Sequence, residues 1–199
     1  MTSLTDAFLP FPDRSPMRFA VNASRRSNTA GPFAVHLDRI FHESFPALYR
    51  YLQRLSGDRA LAEDIAQEAF VRLFDRGEMP DEPVAWLITV ATNLLRDDHR
   101  KSSRRLRLLE RAGDDVGRSA NVPDAAASLV QSERRDQVRA ILDRLGVRDR
   151  QALLLRHSGF SYREIAVALN MPEASVGTTL VRAGEAFRVL YQELHGEPD

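Results

Sequence analysis

The chain contains no cysteine, which removes disulfide scaffolds, thiolate metal sites and cysteine nucleophiles together. Lysine is nearly absent: Lys101 is the single one, and every other basic residue is arginine. No apolar run approaches the roughly 20 residues that span a bilayer. The first residues carry acid and proline where a signal peptide needs an apolar core. A cytoplasmic chain with no membrane insertion is therefore expected. An excess of either charge is also missing, because 28 basic and 28 acidic residues cancel, so a uniformly basic coat for nucleic acid is excluded. Alternation of period two is nowhere sustained, and no sheet is expected. The histidines, His36, His42, His99, His157 and His195, are dispersed and have no nucleophile or carboxylate partner by spacing. Asp97, Asp98 and His99 cannot share one helix face. Asp64 and Glu68 stand four apart, with no histidine to complete a metal site. No metal, cofactor or catalytic residue is expected, and an enzyme acting on nucleic acid would need the clustered site that is missing.

What is present is helix period. At 199 residues and 43% hydrophobic, the chain can build one large or two small packed domains. Residues 1–32 hold Pro10, Pro12, Pro16 and Pro32 with the polar run Asn22 to Thr29, and read as a disordered extension. Leu37, Ile40, Phe41, Leu48, Tyr51, Leu52 and Leu55 recur at helical spacing. Ser56-Gly57-Asp58 reads as a turn. A second helix follows from about Ala60 to Phe74, its apolar positions being Leu61, Ile65, Ala69 and Leu73. Gly77 to Pro83 breaks it. A third begins near Pro83, where proline suits the first turn, and continues through Trp86, Leu87, Val90, Ala91, Leu94 and Leu95 towards Arg105. Trp86 reads as a core anchor. Residues 109–127 lose the pattern and read as a flexible linker. Leu129, Val130, Val138, Ile141, Leu142 and Leu145 then define a further helix, with Gly146 as its C-cap, and a short helix covers Asp149 to His157. The expected fold is all-α, two small helical domains at 33–108 and 128–195 joined by that linker.

The most specific local signal lies in residues 158–188. Ser161 and Glu164 form a capping-box pattern ahead of a helix from Tyr162 to Leu169. Asn170-Met171 makes a tight turn, and Pro172 opens the next helix. Val176, Leu180, Ala183 and Phe187 give that helix its buried stripe. This is a helix-turn-helix whose second helix suits a major groove. Ala174, Ser175, Thr178, Thr179 and Arg182 are expected on its exposed face, where Arg182 can meet a phosphate or a guanine edge. The alternative is an ordinary α-hairpin of a bundle.

Charge is segregated although its sum is zero. Residues 96–111 carry a net +4 and residues 39–82 a net −3. A positive helix end fits phosphate contact; the plainer reading is a solvated C-terminus whose cations suit the helix dipole.

Several stretches together resemble one family. Ala62 to Phe74 (Ala-Glu-Asp-Ile-Ala-Gln-Glu-Ala-Phe-Val-Arg-Leu-Phe) resembles the polymerase-binding helix of sigma region two. Pro83 to Arg105, with Ala85-Trp86-Leu87 and Ala91-Thr92-Asn93-Leu94-Leu95, resembles the segment that melts and reads the minus-ten element. Gly159 to Ala166 through Val181-Arg182-Ala183 resembles sigma region four, a helix-turn-helix that reads the minus-thirty-five element. The order and spacing are similar to the extracytoplasmic-function (ECF) group of sigma-70 family sigma factors. The resemblance implies that Asp64, Gln67, Glu68 and Arg72 bind the clamp helices of core RNA polymerase. It assigns Thr89, Asn93, Arg96, Arg100, Lys101 and Arg104 to the minus-ten strand, and Arg163, Ala174, Ser175, Thr178, Thr179 and Arg182 to the minus-thirty-five element of promoter DNA. An anti-sigma factor is implied as a further partner. Two departures stand out: Gly177 and Thr179 occupy positions where family members often carry lysine and arginine, and no phenylalanine or tyrosine lies between Trp86 and Arg111. A helix-turn-helix regulator that never joins polymerase is the competing reading. It explains residues 158–188 and leaves 60–105 without a role.

Overall fold

The computed structural model describes residues 31–112 and 129–195, with side chains described over 31–104 and 135–194. Most of the expected 1–32 extension and 109–127 linker therefore lies outside the described residues. Among the described residues all regular structure is helical, in seven helices. α1 (Pro32–Ser56), α2 (Arg59–Arg76) and α3 (Pro83–Ala112) form the first unit; α4 (Leu129–Arg144), α5 (Val147–Ser158), α6 (Tyr162–Ala168) and α7 (Ala174–His195) form the second.

The first unit is built on long apolar stripes. Ile40, Leu48, Tyr51 and Leu52 of α1 meet Ile65, Phe70 and Leu73 of α2 and Leu87, Ile88 and Leu95 of α3, all buried. Each large side chain so buried contributes about 1.5–3 kcal/mol. Ala62, Ala66 and Ala69 are also buried, and their small side chains let α2 lie close to its neighbours. Phe41 meets Phe70 edge to face, centroids 5.0 Å apart, a favoured aromatic geometry. Trp86 is partly buried against this core. The turn between α1 and α2 rests on Gly57, whose φ of 74° is left-handed and costs glycine nothing. Asp58 then caps α2, its carboxylate accepting from the Leu61 amide at 3.1 Å. α3 runs to Ala112, so residues 109–112, expected in the linker, are helical. Residues 105–112 are arginine, leucine, glutamate and alanine, all good helix formers that give no stop signal.

The second unit is shorter-stepped and held by its corners. The capping box is formed: the Glu164 carboxylate accepts from the Ser161 amide at 2.7 Å, and the Ser161 hydroxyl accepts from the Glu164 amide at 3.3 Å. Asn170 takes φ 49°, one of the few conformations outside glycine's monopoly that asparagine tolerates, and turns the chain between α6 and α7. Two corner expectations shift. Gly146 has φ −57° and ψ 143° and is the N-cap of α5; α4 closes instead through the Leu145 amide on the Leu142 carbonyl at 3.2 Å. Pro172 stands just ahead of α7, its carbonyl accepting from the Ser175 amide at 2.9 Å, because a tight turn precedes the first full helical turn.

The two units pack on one another. α5 lies against α1, and α6 against α3. Leu154, Leu155 and Phe160 of the second unit join the buried apolar cluster of the first.

Candidate functional site

Three surfaces carry the expected contact residues. On α2, Asp64, Glu68 and Arg72 are exposed and Gln67 half-buried. Their phase follows from burying Ile65, Ala69 and Leu73, which turns the opposite stripe outward. Glu68 accepts from Arg72 Nε at 2.9 Å, and Gln67 donates to Glu63 at 3.4 Å. Asp64 therefore presents the freer acid for a basic partner. Two residues of this face went unnoticed in the sequence: Val71, 42% exposed, and Phe74, 56% exposed. They lie four and seven residues beyond Gln67. An acidic face edged by a bare aromatic suits a protein surface with both cations and an apolar notch. The spacing was the available signal, but Phe74 entered the sequence reading only as the end of the helix.

On α3, Thr89, Asn93, Arg96 and Arg100 are all exposed and share one stripe, as steps of four, three and four require. Lys101 and Arg104 are exposed beyond it. Thr89 donates its hydroxyl to the Ala85 carbonyl at 2.9 Å, so its methyl group and not its proton is offered outward. Arg100 lies 3.6 Å from Asp97. Thr89, Asn93 and Arg96 line a cleft of about 300 Å³ whose other wall is Val147, Arg148, Gln151, Leu169 and Asn170 of the second unit.

On α7, Ala174, Thr178 and Arg182 are exposed and Ser175 is half-buried. Thr179 departs from expectation: it is 7% exposed. With Val176 and Ala183 fully buried, position 179 falls on the same stripe by i, i+3 and i+7, and Leu180 is the partly buried flank. The reading face is thus narrower than expected. Its cation Arg182 is held by Asp149 of α5 at 2.5 Å. Arg163 is exposed and pairs with the first unit, donating from Nε to Glu82 at 2.7 Å; the Glu82 hydrogen bond and charge raise its pKa.

Among the described residues no helix is long and apolar enough to cross a membrane, and no group of three or more histidines and carboxylates could hold a metal ion.

Comparison with known proteins agrees with this layout. Residues 40–105 match the family Sigma-70 region 2, and residues 135–185 match Sigma-70, region 4. The chain is 32% identical over 185 residues to the ECF RNA polymerase sigma factor SigL of Mycobacterium tuberculosis, covering 86% of this chain and 97% of the relative. It is 27% identical over 158 residues to the ECF RNA polymerase sigma factor SigM of Bacillus subtilis, covering 78% of this chain and 94% of that one. The fold is similar to the sigma factor RpoE solved in complex with the anti-sigma factor NepR from Bartonella quintana, with a TM-score of 0.55, 24% identity, and coverage of 79% of this chain and 97% of that one.

Proposed function

Since this chain belongs to the ECF group of sigma-70 family RNA polymerase sigma factors, we propose that it loads onto core polymerase through α2 and brings two DNA faces, α3 and α7, to a promoter. In this reading the unit at 33–108 is region two and the unit at 128–195 is region four, with residues 109–127 spanning between them. Asp64, Gln67, Glu68 and Arg72, with Val71 and Phe74 added from the structure, meet the clamp helices. Asn93 reads a base edge of the minus-ten strand, while Arg96, Arg100, Lys101 and Arg104 hold phosphates and Thr89 packs beside them. Ala174, Ser175, Thr178 and Arg182 face the minus-thirty-five element. Thr179 supports that face from below, and Arg163 reaches it only after leaving Glu82. An anti-sigma factor that covers these faces when the inducing signal is absent fits the same surfaces. The protein acts in the cytoplasm and carries out no catalytic step of its own; its chemistry is binding and strand opening.

The observation that carries this reading is the α3 stripe: four residues chosen from sequence spacing all reach the surface on one side of one helix. The experiment is run-off transcription with purified core polymerase. Transcripts should require the chain, and Asp64→Lys with Glu68→Lys should abolish capture of core polymerase. Asn93→Ala and Arg100→Ala should leave capture intact and remove promoter opening. Undiminished capture by the double variant would refute the α2 assignment, and a chain that supports no transcript would be a regulator instead.

A further inference from the structure

Several surface arginines of this chain are paired with acids. Arg144 meets Glu193 at 3.0 Å, Arg188 meets Glu185 at 2.9 Å and Arg182 meets Asp149 at 2.5 Å. Arg96 of α3 and Arg148 of α5 have no such partner among the described residues. Each reaches only a neutral acceptor, Arg96 the Gln151 side chain at 3.5 Å and Arg148 the Leu169 carbonyl at 3.4 Å. Both contacts are long for hydrogen bonds. Both arginines line the same cleft of about 300 Å³. A smaller space of about 70 Å³ shares Arg96, Val147 and Gln151 with it and adds His99 and Arg150. Arg150 Nη1 is taken by Asp143 at 2.5 Å, but its Nε is buried with no hydrogen-bond partner among the described residues, a position in which a donor ordinarily has one. No aspartate or glutamate lines either space.

Guanidinium gathered without a carboxylate among the lining side chains leaves a positive field whose missing partner is an anion. Val147 and Arg148 also stand in the first turn of α5, after Gly146, which makes no side-chain cap, so the positive end of that helix borders the same space. The remaining lining is uncharged. Ile88 and Leu169 offer an apolar wall, and Asn93 and Asn170 offer amides. Guanidinium forks match phosphate oxygens, and a phosphate monoester carries nearly two negative charges near neutral pH, enough to balance two arginines. An apolar wall suits a ring, and the amides suit the polar edge of a base. The volume stands at the lower end of small-ligand pockets, which run from about 300 to about 1,000 Å³.

We propose that this cleft is a mononucleotide site: Arg96 and Arg148 hold the phosphate of a nucleoside monophosphate from opposite walls, and its ring lies on Ile88 and Leu169 within reach of Asn93 and Asn170. Arg148 belongs to none of the polymerase or DNA faces assigned above, so the site stands apart from that reading. One consequence does rest on the α3 assignment. A bound nucleotide occupies Asn93 and Arg96, and it therefore competes with a DNA strand for those two side chains.

The test is calorimetric titration of the full chain, without polymerase, by AMP, CMP, inorganic phosphate and adenosine. At least one of the two nucleotides should bind saturably. Adenosine and inorganic phosphate should each bind about tenfold or more weakly, since each lacks one half of the contacts. Arg148→Ala and, separately, Arg96→Gln should weaken the nucleotide by about tenfold or more, as loss of a charged hydrogen bond does. Arg148 is exposed, so Arg148→Ala should keep the urea midpoint of the starting chain. Arg188→Ala, which removes a cation of α7 outside the cleft, should leave nucleotide affinity unchanged. A short deoxyoligonucleotide without a terminal phosphate is titrated alongside, and Arg148→Ala should not alter its binding. The proposal is overturned if neither nucleotide binds, if adenosine or inorganic phosphate binds as tightly, or if Arg148→Ala retains full nucleotide affinity. It is equally overturned if Arg188→Ala loses as much as Arg148→Ala, or if the oligonucleotide depends on Arg148, which would give the cleft to a strand.

Discussion

The DNA faces of α3 and α7 differ in charge. On α3 the cations are present: Arg96, Arg100, Lys101 and Arg104 all reach the surface. On α7 the exposed residues Ala174 and Thr178 are small, but the face has one cation, Arg182, already engaged by Asp149. Recognition by α7 is therefore limited by charge, and recognition by α3 is not. Adding a cation should help α7 and do little for α3, provided that it is added at a position which faces out.

That proviso gives the largest expected effect. Gly177 and Thr179 stand together in the sequence reading, where the family resemblance leads one to expect cations at both, yet the structure separates them. Thr179 is buried, so Thr179→Arg forces a guanidinium into the interior of the second unit. The desolvation cost is several kcal/mol, and the second unit should melt at markedly lower urea with minus-thirty-five binding lost. Gly177 is half-buried, and a Cβ there would meet only the Tyr162 ring at 3.7 Å, an ordinary contact. Gly177→Lys should raise helix stability by up to about 1 kcal/mol and tighten duplex promoter binding in a salt-dependent way. Equal behaviour of the two variants in urea melts and in duplex binding would erase the distinction.

A smaller effect tests whether α7 is placed by its corner. Ser161→Ala removes one half of the capping box and should cost about 1 kcal/mol, measured as a shift in the urea midpoint. It should weaken duplex binding by α7 and leave α3 unaffected. A variant with an unshifted midpoint would show that packing alone sets α6.

These residues also show why part of the molecule was legible in the sequence. The stripe Thr89–Asn93–Arg96–Arg100 and the core positions Ile40, Leu48 and Leu52 lie on long helices, where a period of 3.6 fixes one face from the other over many turns. The capping box and the turn at Asn170 are chemical signatures local to a few residues. Thr179 was misread because the stripe Val176, Leu180, Ala183 and Phe187 left position 179 outside, whereas the buried face takes in 179 between Val176 and Ala183 and leaves Leu180 only partly buried, and threonine gives no hydropathic warning of burial. Gly146 was read as a stop because glycine serves both ends of helices. The contact between the two units was invisible for a deeper reason. Gln151, Ser158, Glu82 and Arg54 are ordinary polar residues in sequence, and their burial or pairing depends on contacts some 55 to 108 residues away in the chain, which no local period encodes.

The smallest effect concerns pH and the unit that carries α7. His157 ends α5 facing Arg54 and Arg50 of α1, and burial followed by those two positive charges lowers its pKa from 6.5. On its own helix the neighbouring Arg156 stacks over the Tyr162 ring at 5.5 Å. The folded chain therefore favours neutral His157, while the unfolded chain takes up a proton nearer the ordinary value of about 6.5. The contribution to stability is fully present above that value and is lost as pH falls through it towards the lowered pKa. The urea midpoint should thus fall modestly between about pH 7.5 and about pH 6. His99 lies elsewhere, lining a small space with Arg96 and Arg150, so the comparison is made with His157→Gln, which keeps a polar side chain without a proton to gain. The slope should flatten in that variant. An unchanged slope would remove His157 from the balance, and the packing of α5 on α1 would then have to be independent of its charge.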